Sequence, residues 1–296
     1  MNNIEILNET LRAIEEGGYL LRSSGTDSEE KVRLKLSKKQ MSEAIVLTEE
    51  EVHGLIDDPP DKDFDNMGRC LFTVSKDDSF AAAIRIAEDH LDERVLVLNF
   101  ANPVHPGGGV RRGAKAQEED LCRKSTLLAS LESSGASKYY RYNRNNNSFL
   151  GSDYMVLSPM VEIIRDEHNA FMEETIVVSV LTCAAPYLRR GLQGVSREEL
   201  EKVIFRRIMG MLIAAIKYSY DYLVLGAWGC GAFANDAQMV AGSFYKAFKE
   251  IRCGELTIEN ALFRRVEFAV LYNPRNSYNY DSFYKYFNRF YGLDLG

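Results

Sequence analysis

A largely apolar run over residues 94–100 leads into three consecutive glycines, Gly107-Gly108-Gly109, and then into a helix opening on Gln117-Glu118-Glu119. The order strand, glycine turn, helix constrains the chain more than any other feature. An apolar strand of this kind belongs to a sheet covered on both faces, which means a layered α/β fold. Glycines let a backbone approach a phosphate closely, because no Cβ intrudes. A helix N-terminus adds unpaired N–H groups and the positive end of a dipole. A single turn with positive φ needs one glycine, and three in a row carry an entropic penalty that the turn alone does not require. The segment predicts a phosphate-bearing ligand placed beside an acid.

The chain has 296 residues, enough for a large core as one big domain or two small ones. Its net charge of −7 argues against binding duplex nucleic acid, which needs clustered Lys and Arg. A nucleotide held by backbone amides stays open. Five cysteines (Cys70, Cys122, Cys183, Cys230, Cys253) form no C-x-x-C pair, which fits a reducing compartment. The start lacks a basic region followed by an apolar stretch, and no window approaches the roughly 18 apolar residues of a spanning helix. A soluble cytoplasmic protein without a membrane partner is expected. His53, His90 and His168 have no metal-ligand spacing among them, and His105 sits between Pro103 and Pro106, so no metal site is predicted.

Apolar residues at Ile4, Leu7, Leu11 and Ile14 give an N-terminal amphipathic helix that ends at Gly17-Gly18. Residues 19–36 alternate loosely around a turn at 23–27. The polar, proline-containing stretch 57–66 is the expected boundary between an N-terminal helical extension, 1–66, packed on the core, and a catalytic body, 67–296, the two forming one structural unit. Strands are predicted at 70–74, 95–100, 154–158, 176–182, 222–227 and 266–272. Helices are predicted at 79–92, 116–131, 197–220 and 236–252. Strands alternating with helices argue for a mostly parallel sheet.

A second glycine turn, Gly226-Ala227-Trp228-Gly229-Cys230-Gly231-Ala232-Phe233, also follows a strand and precedes a helix. Two such loops at one sheet edge would grip a diphosphate from both sides. Asn235 or Asp236 reads as a helix N-cap. Trp228 reads as core, and Phe233 as either core or a ring against a sugar or base. Cys230 has no histidine partner nearby in sequence and reads as a small buried residue. Arg111, Arg112 and Lys115 would contact a polyanion or form a solvated face. Glu118 and Glu119 diverge by about 100° on a helix, so only one points squarely at a given atom. Both would complement the helix dipole. A glutamate held near apolar groups and an anionic ligand would also have its pKa raised and serve as a general acid near neutral pH.

Together these residues resemble a known signature. Gly107-Gly108-Gly109, seven intervening residues and Gln117-Glu118-Glu119, flanked by the stretches 99–102 and 228–233, are similar to the motifs of poly(ADP-ribose) glycohydrolases of the shorter, bacterial type. The resemblance implies a three-layer α/β/α macrodomain with a mixed central sheet, binding ADP-ribose at the strand ends. Glu119 then corresponds to the catalytic glutamate and Glu118 to the neighbour that holds ribose hydroxyls. Gln117 touches substrate, and Asn102 orients the distal ribose and the acid. Gly107, Gly108, Gly109 and Val110 face the diphosphate from one side. Gly229, Cys230, Gly231, Ala232 and Phe233 face it from the other, with Phe233 near the ribose. The implied reaction is hydrolysis of the ribose–ribose O-glycosidic bond of poly(ADP-ribose), releasing ADP-ribose. One glutamate serves as acid and then base, without metal or cofactor. The ligand is ADP-ribose or its polymer, including polymer on modified proteins. Three alternatives stand beside this one. The first is a hydrolase of mono-ADP-ribosylated targets. The second is a non-catalytic ADP-ribose reader, which would keep both glycine loops without needing Gln-Glu-Glu. The third is a partner-binding protein that uses the aromatic tail over residues 272–291.

Overall fold

The computed structural model describes residues 2–22, 29–60, 69–90, 93–258 and 262–288. The turn expected at 23–27 and most of the boundary stretch 57–66 lie outside these residues. The chain begins with α1 (Asn3–Glu16), a hairpin of β1 (Gly18–Arg22) and β2 (Glu29–Arg33), α2 (Lys38–Met41), β3 (Ile45–Leu47) and α3 (Glu49–Asp57). The body follows with β4 (Leu71–Ser75), α4 (Ser79–Asp89), β5 (Val95–Phe100), α5 (Gln117–Lys124), α6 (Leu127–Leu131) and α7 (Ser137–Asn145). Then come β6 (Met155–Arg165), β7 (Phe171–Cys183), α8 (Arg197–Lys217), β8 (Tyr222–Leu225) and α9 (Ala237–Glu250). A two-residue pair, β9 (Arg252–Cys253) and β10 (Leu256–Thr257), precedes β11 (Arg265–Ala269) and α10 (Tyr278–Phe287).

Seven strands form one mixed sheet in the order β3-β6-β7-β5-β8-β11-β4. The first two pairings are antiparallel and the remaining four are parallel. Alternate residues of β5 enter different cores, as the two-residue strand period requires. Leu96 and Leu98 pack with residues of α8 and α9, including Ile208, Leu212, Phe244 and Phe248. Val95 and Val97 pack with Phe80 and Ala83 of α4 and Leu121 of α5. The sheet is thus the middle of three layers, and β5 is buried on both faces. Among the described residues no helix is long and apolar enough to cross a membrane.

The segment before residue 67 is tied into the body. Strand β3 pairs with β6 at the sheet edge. Buried Glu162 accepts hydrogen bonds from the Lys35 and Leu36 amides at 2.8 and 3.0 Å. Helix α1 buries Ile6, Leu7, Thr10 and Ala13, while Ile4 is 44% exposed, so its inward stripe is rotated from the one its apolar spacing predicts. Thr10 supplies the reason: its hydroxyl donates to the Arg123 carbonyl at 2.6 Å, docking α1 against the end of α5.

The helix expected over 116–131 is two helices. Ser125 is extended and bridges to Ile163, and the Thr126 amide donates to the Glu162 carbonyl. Thr126 Oγ1 accepts the Glu162 amide in return at 2.9 Å. A strand neighbour therefore captures the backbone that would have continued the helix. The aromatic tail forms α10, which buries Phe283 and Phe287 against Phe268.

Candidate active site

A cleft of 610 Å³ opens at the C-terminal ends of β5, β8 and β11, where ligands bind in open α/β sheets. Its lining includes Phe100, Asn102, Glu118, Glu119, Trp228, Gly229 and Phe233. Asp78, Ser79, Leu271 and Asn279 line its other end.

Glu118 and Glu119 are buried, at 2% and 8% exposure, and have different partners. The Asn102 amide donates to Glu118 Oε2 at 2.7 Å, Asn99 Nδ2 donates to Oε1 at 3.4 Å, and the Gly107 amide adds a third bond. Burial pushes the Glu118 carboxyl up to about 8; these three donors oppose the shift and the Glu119 carboxylate adds to it. The Gly109 amide donates to Glu119 Oε1 at 2.8 Å, while Glu119 Oε2 has no hydrogen-bond partner.

The first glycine loop is built around these acids. Gly107 and Gly108 have φ of +66° and +58°. A Cβ on Gly108 would lie 2.4 Å from Glu119 Oε1, and one on Gly107 would lie 2.7 Å from Leu128 Cδ1. The loop amides are spent within the protein. Gly107 serves Glu118, Gly109 serves Glu119, and Gly108 and Val110 close turns onto the His105 and Gly107 carbonyls. Gly107, Gly108, Gly109 and Val110, expected to face a diphosphate, are not among the residues that line the cleft. Val110 is core, and the glycines hold carboxylates. The segment is fixed from outside by Asn3 Nδ2 on the Gly113 carbonyl at 3.0 Å and by Arg123 on the Ala114 carbonyl.

Gln117 is likewise occupied. Its Oε1 accepts the Phe100 amide at 2.9 Å, and Nε2 donates to Ser79 Oγ and to the Leu98 carbonyl. It clamps α5 to the end of β5 with both side-chain amide hydrogens engaged, and it lines the cleft. Asn102 lies at the cleft, but its Oδ1 accepts the Val104 and His105 amides, and its backbone orients Glu118.

The second loop offers the free donors. Among the described residues the amides of Gly229, Gly231, Ala232 and Phe233 have no partner, and all four residues line the cleft. Gly229 has φ +74°, and a Cβ there would lie 2.4 Å from Ala185 Cβ. Asn235 holds the loop through Nδ2 bonds to the Pro186 and Gly229 carbonyls, while Asp236 caps α9. Trp228 is fully buried, with Nε1 on the Cys183 carbonyl at 2.8 Å. Phe233 meets Tyr187 edge-on at 5.4 Å and borders the cleft. Cys230 is turned onto the Trp228 carbonyl at 3.4 Å, away from the cleft, and burial pushes its thiol up. No group of His, Cys, Asp or Glu among the described residues is arranged to hold a metal.

The sequence reading missed four contributors. Asn99 interrupts an apolar strand, which was the available signal, and it reaches both Glu118 and Thr182. Asp78 and Asp120, both lining the cleft, lie within 2.9 Å of the Nζ of buried Lys124. Burial disfavours the Lys124 ammonium, but the two carboxylates outweigh it and raise its pKa.

A mixed sheet between helix layers, a strand-end cleft with a free-amide loop and a carboxylate pair define an ADP-ribose-type macrodomain with hydrolytic groups. The family model for the microbial-type PARG catalytic domain matches residues 8–166. Poly(ADP-ribose) glycohydrolase from Thermomonospora curvata is 31% identical with a TM-score of 0.84, covering 96% of this chain and 99% of that one. The same enzyme bound to the inhibitor ADP-HPD is 31% identical, with a TM-score of 0.82 and the same coverage. The Deinococcus radiodurans enzyme in complex with ADP-ribose is 32% identical with a TM-score of 0.74, covering 86% of this chain and 97% of that one. No curated protein matches the chain. The chain belongs to the microbial-type poly(ADP-ribose) glycohydrolase family, and it is a glycoside hydrolase of ADP-ribose polymer.

Proposed function

We propose that Glu119 is the general acid and then the general base of this hydrolysis, with ADP-ribose seated between the second glycine loop and Glu118. The observation that carries the reading is the difference between the two acids. Glu118 has donors on both oxygens, whereas Glu119, a cleft-lining residue, keeps its buried Oε2 unpaired. Protonated Glu119 gives its proton to the departing ribose oxygen as the bond to the anomeric carbon breaks. Water adds to the oxocarbenium-like centre and returns a proton to the Glu119 carboxylate. One carboxylate in both roles departs from the two-carboxylate plan of most glycosidases. The Gly109 amide fixes the acid by one oxygen and leaves the other to move the proton.

Glu118, raised to about 8, carries its proton at neutral pH and holds ribose hydroxyls without adding a second charge beside Glu119. The free amides of Gly229, Gly231, Ala232 and Phe233 bind the diphosphate, and Phe233 packs near the distal ribose. The adenosine then lies toward Leu271 and Asn279. Residues 1–66 form an extension that supports the site, since α1 fixes both the loop and the end of α5. Five cysteines, none of them in a disulfide, favour a reducing compartment, the cytoplasm.

The test is release of ADP-ribose from poly(ADP-ribose) by the wild type, Glu119→Gln and Glu118→Gln, with ADP-ribose binding followed by calorimetry. Glu119→Gln is expected to bind and not to release. Equal release by the wild type and Glu119→Gln would remove Glu119 from the catalytic role.

A further inference from the structure

The three cations of the 111–115 segment divide in the structure. Arg111 is committed to Glu132, with its NH2 at 2.8 and 2.9 Å from the two carboxylate oxygens. Arg112 and Lys115 are exposed and have no hydrogen-bond or ion-pair partner among the described residues. Arg112 NH2 and Glu119 Oε1 both approach Gly109, lying 3.9 and 3.5 Å from the position of a Cβ there. Lys115 borders the cleft one turn before Glu119. The backbone between them is stiff, fastened by Asn3 and Arg123. Of the acids at the start of α5, Glu118 and Glu119 take backbone amides and Asp120 is taken by Lys124 and Arg123.

We infer that Arg112 and Lys115 bind the diphosphate of the departing ADP-ribose unit, making this chain selective for polymer over mono-ADP-ribosylated targets. The inference rests on the reading that Glu119 protonates the leaving ribose. With the bound unit running from Glu119 along the second glycine loop toward Leu271, the departing chain leaves on the opposite side of Glu119. Lys115 lines the cleft with Glu119, and Arg112 NH2 and Glu119 Oε1 both approach Gly109, so the departing chain passes the 109–116 segment. A departing polymer brings a diphosphate there, whereas a departing amino-acid side chain does not. Two unpaired cations on a rigid backbone suit a phosphate contact, which positions a polyanion without reading its sequence.

The experiment compares the wild type, Arg112→Ala, Lys115→Ala, the double variant and Arg112→Lys on two substrates. One is poly(ADP-ribose). The other is ADP-ribose with a nitrophenyl ether at the anomeric carbon, whose leaving group has no phosphate. The double variant is expected to lose about tenfold in kcat/KM on polymer and to change less than about twofold on the ether. The slope of log kcat/KM against log salt on polymer is expected to become shallower by about 0.7 for each cation removed, as for single strands. Arg112→Lys is expected to restore the slope. Equal losses on both substrates, or an unchanged polymer slope, would overturn the inference while leaving the catalytic reading intact. A wild type that cleaves neither substrate would overturn the catalytic reading itself.

Discussion

Gly108→Ala is the most demanding probe of the acid's placement. The new Cβ would sit 2.4 Å from Glu119 Oε1 and 3.1 Å from Glu118 Oε2, on a backbone with φ +58°. Ordinary contact requires the Glu119 carboxylate to retreat by about 1 Å, because repulsion rises steeply inside the van der Waals minimum. That retreat draws the acid off the Gly109 amide that aims it. A misplacement of about 1 Å costs on the order of 10²-fold in rate, so kcat for ADP-ribose release is expected to fall about a hundredfold. Left-handed backbone at an alanine adds about 1–2 kcal/mol of strain. For a chain of this size that lowers Tm by roughly 2–8 °C, leaving the protein folded at assay temperature. Rapid-mix measurement of ADP-ribose release and a thermal melt report the two effects separately. Wild-type kcat in a folded Gly108→Ala protein would refute the idea that this glycine exists to make room for the carboxylates.

The second loop offers a paired comparison. Gly229→Ala drives a Cβ to 2.4 Å from Ala185 Cβ at φ +74°, whereas a Cβ on Gly231 meets nothing within 4 Å. ADP-ribose affinity by calorimetry is expected to drop about tenfold or more for Gly229→Ala and to stay within about twofold for Gly231→Ala. Glu118 gives a pH signature. Its carboxyl rises from 4.5 to about 8 on folding, so the native protein keeps a proton that the unfolded chain releases. The stability this supplies is complete below pH 4.5 and is lost as pH rises through about 8. Glu118→Gln cannot ionise, and a Tm series across that window is expected to decline less steeply than the wild type; parallel curves would contradict the assigned shift. Behind the second loop, buried Arg207 donates to Asp153 Oδ1 at 2.8 Å and to the Ala184 carbonyl at 3.0 Å. Arg207→Met removes the partner of Asp153 Oδ1 while Arg206 and His53 keep Oδ2, and is expected to cost about 1.5–3 kcal/mol in urea unfolding.

What could be read from the sequence follows how local each cause is. Strand β5 was legible to the residue because apolar side chains on both faces announce a strand covered on both sides. Helix α8 was legible at its start because Ser196 caps it, accepting the Glu199 amide. The break after Lys124 was not legible, since it is caused by Ile163 and Glu162 on a strand more than thirty residues later. Helix α10 was hidden for a different reason. Its inward Phe283 and Phe287 and its outward Tyr278 and Tyr284 are all aromatic, so the helical period is blurred.

The first glycine loop shows what local reasoning reaches and what it leaves open. Closely spaced glycines do mark a place where something must approach a backbone, but sequence does not say what approaches. Here it is the chain's own carboxylates. Seven residues return the backbone over the opening turn of α5, so the Gly107 and Gly109 amides meet Glu118 and Glu119 before any ligand arrives. The roughly 100° between consecutive helical side chains then does the sorting. One acid turns into the strand end and collects Asn99 and Asn102, while the other turns to the loop and keeps an oxygen free. Two identical neighbours thereby acquire different chemistry from a helix angle and two glycine amides. The second loop differs in that its Gly229, Gly231, Ala232 and Phe233 amides have no internal claimant among the described residues, which is what the proposed diphosphate contact uses.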